Sequence, residues 1–379
     1  MEMLPTFLLP SLMSFLCVIF CIPVLVKIAK AKNILDIPNK RKLNKNSIPT
    51  LGGIAIFFGF TLATLFFHTE TSLLSLLGIF IGITIIVSVG VIDDLTNLSP
   101  KIRLLFFSFA LVSIICLSGL SFCNFHGFFG IEQCPFSLGF LITVFAGIVI
   151  INSFNLIDGI DGLASGLAIQ ISLILGTWFA LVGQTDFAIM AFSLAASCIA
   201  FFIFNVFGNK NKIFMGDTGS LLIGIIIFVL ATKFNQHSAI YSGEYAIKSA
   251  PAVLIGILAY PLFDVLRVFT LRVIVLKKSP FKPDKNHIHH RLLALGLNHL
   301  HTTIAILIAN NIFIVGALIL QKYLSVFELT GLILAKSIIL STFLELIIFH
   351  SKKINPNDEY QNLFIPHSIM AAKLINKQN

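Results

Sequence analysis

Apolar runs of about twenty residues recur from one end of this chain to the other. Roughly 20 residues is the length at which an α-helix crosses the hydrocarbon core of a bilayer. In lipid every backbone polar group must find its partner inside the protein, so only helices and closed barrels can span it. A barrel strand would show segments of roughly ten residues with alternating polarity, and none of the apolar runs alternates in that way. Composition agrees: 57% of residues are hydrophobic and 11% charged, against roughly 25% charged in a soluble domain. The expected fold is all-α, a polytopic membrane helical bundle forming one domain over residues 1–379.

Charged breaks divide the runs into eleven expected spans: 5–27, 51–67, 73–91, 103–119, 138–152, 162–182, 187–205, 218–235, 250–275, 302–320 and 328–349. The first run lacks a basic leader and a small-residue cleavage site, so it is expected to be a retained span. Of the 26 Lys and Arg residues, 22 fall in alternate connections on one side. The positive-inside rule makes that side cytoplasmic, with the N-terminus outside and a cytoplasmic tail over 350–379. The net charge of +9 therefore serves orientation, because no polar stretch is long enough to be a nucleic-acid-binding domain.

Of the six cysteines, only Cys123 and Cys134 lie in an external loop, where an oxidising compartment would allow a disulfide. That loop, Leu120 to Ser137, holds Phe122, Phe125, Phe128, Phe129 and Phe136 and reads as a hairpin or re-entrant lid at the interface.

Nearly all the chemistry-bearing residues fall in the cytoplasmic connections. Asp93 and Asp94 end the third span, where adjacent carboxylates repel each other and favour a bound cation or a raised pKa. Asn152, Asn155 and Asp158 are three residues apart, with Asp161 continuing the series, so on a helix they share a face. A row of oxygen donors suits Mg²⁺, which keeps waters and substrate phosphates in its shell. Asp217 sits in a glycine-flanked turn and reads either as a helix cap or as a metal ligand. A basic loop from Arg267 to Arg291 contains His287, His289 and His290, donors suited to a diphosphate. Zinc fits less well, since cysteines are absent from the loop and the acids offer a harder donor set. Gly52 and Gly53 read as a close-packing pair, and the basic residues from Lys40 to Lys45 as topology charges or an anion grip. A transporter is the competing class, since polar residues at span ends also mark ion pathways.

Five ordered motifs carry a resemblance: Asp36-x-Pro38 with Pro49-x-x-Gly52-Gly53, the Asp93-Asp94 pair, Asn152-x-x-Asn155-x-x-Asp158-Gly-x-Asp161-Gly162, Gly216-Asp217-x-Gly-Ser220, and His287-Ile-His289-His290. Over residues 5–320 the chain resembles the polyprenyl-phosphate N-acetylaminosugar-1-phosphate transferases. The loop from Ser279 to His290 is similar to that of the branch loading GlcNAc 1-phosphate onto undecaprenyl phosphate. The branch that uses UDP-MurNAc-pentapeptide carries three consecutive histidines, which this chain lacks; Asn44 stands where many relatives have His.

The resemblance implies UDP-GlcNAc plus undecaprenyl phosphate giving undecaprenyl-diphospho-GlcNAc and UMP, at the cytoplasmic face of a bacterial inner membrane. It implies Mg²⁺, or Mn²⁺ in its place, on Asn155 and Asp217, with Asp93, Asp94, Asp158 and Asp161 as the catalytic acids. Either Asp93 or Asp94 would deprotonate or place the lipid phosphate. His287, His289, His290 and Arg291 would hold the diphosphate, and Lys101, Asn152, Arg267 and Lys285 would help place substrate. UDP-QuiNAc, UDP-FucNAc and UDP-MurNAc-pentapeptide are the alternative donors. The product would start an O-antigen, a related surface glycan or wall teichoic acid, and a homodimer is compatible with the resemblance.

Overall fold

A computed structural model describes residues 3–32, 35–36, 48–277 and 286–354. Lys285, the basic residues from Lys40 to Lys45 and Asn44 lie outside them, as does the tail beyond residue 354. The described chain is helical, with two short antiparallel ribbons. The helices are α1 (Met3–Ala31), α2 (Gly52–Phe66), α3 (Leu73–Thr96), α4 (Pro100–Ser118), α5 (Phe136–Ile157), α6 (Leu163–Leu181), α7 (Thr185–Val206), α8 (Gly216–Ser238), α9 (Ala250–Ile257), α10 (Ala259–Thr270), α11 (Ile288–Ala294), α12 (His299–Leu320) and α13 (Val326–Ile354). Strands β1 (Leu35–Asp36) and β2 (Ile48–Pro49) pair with each other, as do β3 (Asn124–Phe128) and β4 (Ile131–Gln133).

Local chemistry sets the helix ends. Ser72 accepts the Ser75 N–H at 3.3 Å to cap α3, which closes on Asn97 in the left-handed region at φ 55°. Pro100 opens α4, where its missing N–H costs nothing, and Gly119 closes it at φ 70°.

Nine of these helices are long and apolar enough to span a bilayer. The expected span 250–275 is corrected to a broken one: α9 and the helix that follows it meet at 78°. Pro261 explains the break, since it has no N–H to donate and its ring clashes with the preceding turn. Asn310 of α12 compensates for the freed backbone, its Oδ1 accepting the Tyr260 N–H at 3.0 Å and its Nδ2 donating to the Ile257 carbonyl at 3.3 Å. Irregular backbone at membrane depth is tolerated where protein groups satisfy it in this way. The expected span 51–67 corresponds to α2, a shorter apolar helix of 15 residues.

Helix α8 is the axis of the bundle, with 89% of its spanning window buried. Small residues let its neighbours close on it: a Cβ on Gly53 of α2 would collide with the Gly219 backbone, and one on Gly90 of α3 would lie 2.5 Å from Thr218 Cα. In lipid, dispersion at such close backbone contacts drives helix association. The segment before α2 is tied to the start of α8 by Phe214 N–H to Pro49 O at 2.7 Å, Gly52 N–H to Phe214 O at 3.0 Å and Gly53 N–H to Met215 O at 2.9 Å.

The connections sort to two ends of the bundle. At one end Lys30 meets the Lys210 carbonyl, Lys212 meets Asp161, and Gly162 N–H donates to Asn205 Oδ1. At the other, Asp186 accepts backbone N–H groups from Thr69, Glu70 and Thr71, and the β3–β4 ribbon closes on Asn235. The aromatic loop is therefore a hairpin, with Phe128 and Phe129 packed on Phe327 of α13.

Candidate active site

Carboxylates from α3, the end of α5 and the start of α8 meet at the first of these ends. Asp94 of α3 takes the Asp217 N–H on Oδ1 at 2.7 Å, and on Oδ2 the Thr218 N–H at 3.1 Å and hydroxyl at 2.6 Å. The first N–H groups of a helix have no partner within it, and its dipole favours a negative charge there. Asp94 thus caps α8 from a different helix. Gly216 makes the turn at φ 72°, where a Cβ would lie 2.5 Å from Thr50 O and 2.7 Å from Asp94 Oδ2.

Asn155 reaches in from α5, its amide nitrogen donating to Asp217 Oδ1 at 2.5 Å and to Ser220 Oγ at 3.1 Å. Asp93 is buried beside Asp217, with Oδ1 accepting the Leu98 N–H at 2.6 Å and Oδ2 2.8 Å from Arg103 Nη1. Asp161 is held by Lys212 Nζ at 2.7 Å and His299 Nδ1 at 3.3 Å. Burial works to raise its pKa, but the hydrogen bonds from His299 and Lys212 outweigh that and hold it below the usual carboxylate range.

Asp158 differs from its neighbours. Among the described residues its half-buried carboxylate has no hydrogen-bond or ion-pair partner. Burial, followed by the charges of Asp217, Asp161 and Asp94, pushes its pKa up to about 8. This uncompensated charge makes a hard cation a fitting occupant. Asp217 and Asp158 offer carboxylate oxygens, and Asn155 adds its amide oxygen when the amide turns over. Among the described residues no three His, Cys, Asp or Glu side chains make a closed metal cage. Mg²⁺ does not call for one, since it is usually bound by one or two carboxylates plus substrate phosphates and water.

A second group of residues faces this cluster. Asp264 of α10, fully buried, accepts the Ile288 N–H on Oδ1 at 2.9 Å and stands 2.8 Å from His287 Nδ1 through Oδ2. It thereby fixes the ring of His287 at the start of α11. His289 is buried with neither ring nitrogen bonded, and its Nε2 lies against Gly159, so close that a Cβ there would collide with it. Burial, then the neighbouring His290, holds its pKa well below the ordinary histidine value, so the ring is neutral. The rings of His289 and His290 are 4.3 Å apart. Arg267 and Arg291 both reach the Asn286 carbonyl, and both pair with Glu345 of α13.

Comparison with known proteins supplies the family. The glycosyl transferase family 4 model matches residues 76–235, the stretch holding all the acids from Asp93 to Asp217. A Bacillus subtilis protein named probable undecaprenyl-phosphate N-acetylglucosaminyl 1-phosphate transferase is 34% identical over 349 residues, 86% of this chain and 89% of that protein. This chain belongs to the polyprenyl-phosphate sugar-1-phosphate transferase family. Relatives from Yersinia pestis and Escherichia coli K12, both named undecaprenyl-phosphate α-N-acetylglucosaminyl 1-phosphate transferase, are 32% and 31% identical. Each alignment covers 75% of this chain, with 76% and 75% of the relative.

The transferase brings Asp93, Asp94, Asn155, Asp158, Asp161 and Asp217 together, with His289 against the same loop. Asn152 lies one turn back and donates to its own helix at the Ile148 carbonyl, 2.8 Å away. Lys101 is exposed on α4, and the α4 cation that engages the cluster is Arg103, two residues on. Lys285 lies outside the described residues. Sequence reasoning missed Arg103, Lys212, Asp264, His299 and Glu345. Asp264 carried a usable signal, an acid inside an apolar run three residues before Arg267.

Proposed function

We propose that this transferase moves GlcNAc 1-phosphate from UDP-GlcNAc to undecaprenyl phosphate, releasing UMP, with the acidic end of the bundle facing the cytoplasm. The sugar and the lipid follow the names of its relatives. The observation that carries the reading is Asp158, an unpartnered carboxylate between the Asp217–Asn155 pair and the neutral His289.

An oxygen of the lipid phosphate attacks the sugar-bonded phosphorus, a new P–O bond forms, and the bond from that phosphorus to the bridging oxygen of UMP breaks. Two anions must approach, so the barrier is set by positioning and charge compensation. Mg²⁺ on Asp217, with Asn155 and Asp158 beside it, would supply that compensation. Asp158 would be ionised once a cation beside it favoured the carboxylate over its own proton, and it is then placed to accept the proton of a monoprotonated lipid phosphate. Asp94 and Asp93 act by placing Asp217, the first through the α8 cap and the second through its own side-chain hydrogen bond with Asp217, while Arg103 holds Asp93. His289 donates its single ring N–H to the diphosphate, and the Asp264–His287 pair fixes the segment that presents it. Arg267 and Arg291 are engaged with Glu345 and Asn286, so they act on that segment's position.

The test is release of UMP by purified protein with undecaprenyl phosphate and, in parallel, UDP-GlcNAc, UDP-QuiNAc, UDP-FucNAc and UDP-MurNAc-pentapeptide. UDP-GlcNAc is expected to be turned over fastest. Preference for another donor would replace the sugar assignment, and no release from any donor would overturn the reaction.

A further inference from the structure

Cys123 and Cys134 stand opposite each other at the mouth of the β3–β4 ribbon, one step outside the Asn124↔Gln133 pair. The Cys134 N–H donates to the Cys123 carbonyl at 3.0 Å. Directly opposed residues on antiparallel strands have Cα atoms about 4.5–5.5 Å apart, within the roughly 4.4–6.8 Å that a disulfide needs. The two thiols lie within hydrogen-bonding reach of each other. Cys123 Sγ is held in place by Ser121 Oγ at 3.2 Å and by close packing on Gly139.

Both thiols are partly exposed, whereas Cys17, Cys21, Cys116 and Cys198 sit on the spanning helices α1, α4 and α7. The ribbon closes on Asn235 near the C-terminus of α8, the helix whose N-terminus carries Asp217. At about 1.5 Å per residue, the 23 residues of α8 separate the two ends by roughly 35 Å, the thickness of a bilayer. If the acidic end faces the cytoplasm, as proposed above, the thiols face the opposite, oxidising compartment.

We infer that Cys123 and Cys134 are joined as a cross-strand disulfide that clips the ribbon over the outer end of the bundle. The two thiols give up two electrons and two protons as the S–S bond forms. The acceptor is the disulfide of a thiol oxidase, itself reduced to two thiols through a mixed-disulfide intermediate. The clip fixes a ribbon that braces several helices: Phe122 packs on Phe228 of α8, its N–H donates to Thr143 Oγ1 of α5 at 2.8 Å, and Phe128 and Phe129 pack on Phe327 of α13.

The test uses the full chain and does not depend on turnover, so its failure leaves the reaction untouched. Cells are lysed into N-ethylmaleimide under denaturing conditions, the protein is reduced, and newly exposed thiols are tagged with a maleimide polyethylene glycol. Wild type is expected to gain two tags, Cys123→Ser and Cys134→Ser none, and a Cys17→Ser/Cys21→Ser variant two. No tags on wild type, or loss of the tags in the Cys17→Ser/Cys21→Ser variant, would overturn the inference. Should a serine variant fail to insert, unreduced digestion of wild type decides the matter: a linked Cys123–Cys134 peptide supports the bond, and two separately alkylated peptides refute it. Reductant should also lower the melting midpoint of wild type and leave that of the Cys123→Ser/Cys134→Ser variant unmoved. An unmoved wild-type midpoint would overturn the bracing role.

Discussion

Replacing Asp158 by Asn should stabilise the protein in the absence of a divalent cation, an unusual result for a change in an active site. The carboxyl has no partner among the described residues, and burial with the charges of Asp217, Asp161 and Asp94 raises its pKa to about 8. In the unfolded chain it returns to roughly 4. The folded state therefore binds the extra proton between about pH 4 and pH 8, and stability falls as pH rises through that window. At about 1.36 kcal/mol per unit, the penalty at pH 7 reaches roughly 4 kcal/mol for a fully buried group. Contact with water cuts it to about 2 kcal/mol. Thermal melts in detergent with a chelator should show the Asp158→Asn variant gaining about 2 kcal/mol at pH 7 and nothing near pH 4. Adding Mg²⁺ should raise the midpoint of wild type more than that of the variant, because the ion binds the folded state alone. A variant that melts at or below wild type at pH 7 under chelation would refute the reasoning.

Other perturbations should run in the opposite direction. Asp94→Ala strips the α8 cap of a charged acceptor serving two N–H groups and a hydroxyl, and should cost about 3 kcal/mol even in chelator, read by the same melts. Gly53→Ala puts a methyl group into the Gly219 backbone and should cost more than about 2 kcal/mol, seen as a lowered midpoint and reduced membrane yield. Glu345→Gln leaves the buried Arg291 without its carboxylate and the half-buried Arg267 with Asp264 alone; turnover should fall by roughly tenfold or more, with Glu345→Asp recovering part of it.

The acidic half of the site was legible because its residues come as short ordered runs at span ends. The expected shared helix face stops at Asn155: α5 ends at Ile157, and it is the turn beyond it that carries Asp158 and Asp161 to the Asp217 cluster. Asn152, in the same register, turns back to its own helix, since an amide one turn deeper finds the Ile148 carbonyl first. The break after Leu258 was hidden by an apolar run that continues past Pro261, although that proline was a visible warning. Asp264 was passed over although Arg267 lies one turn on, because its other partner, His287, is remote in sequence; Glu345 was not assigned because Arg291 and Arg267 are both remote from it. The resemblance implied that Arg291 holds the diphosphate and that Arg267 helps place substrate; that packing of α13 also gives both a carboxylate is not displayed by the sequence. Gly52 and Gly53 read correctly as close-packing residues, because a glycine pair opening an apolar helix has few other uses.

The most direct measurement is Mn²⁺ binding followed by electron paramagnetic resonance in the presence of UDP-GlcNAc. One tightly bound ion per chain is expected in wild type and none in Asp217→Asn, with the variant still folded by its melting curve. Undiminished Mn²⁺ binding by that variant would contradict a site built where α3, α5 and α8 converge.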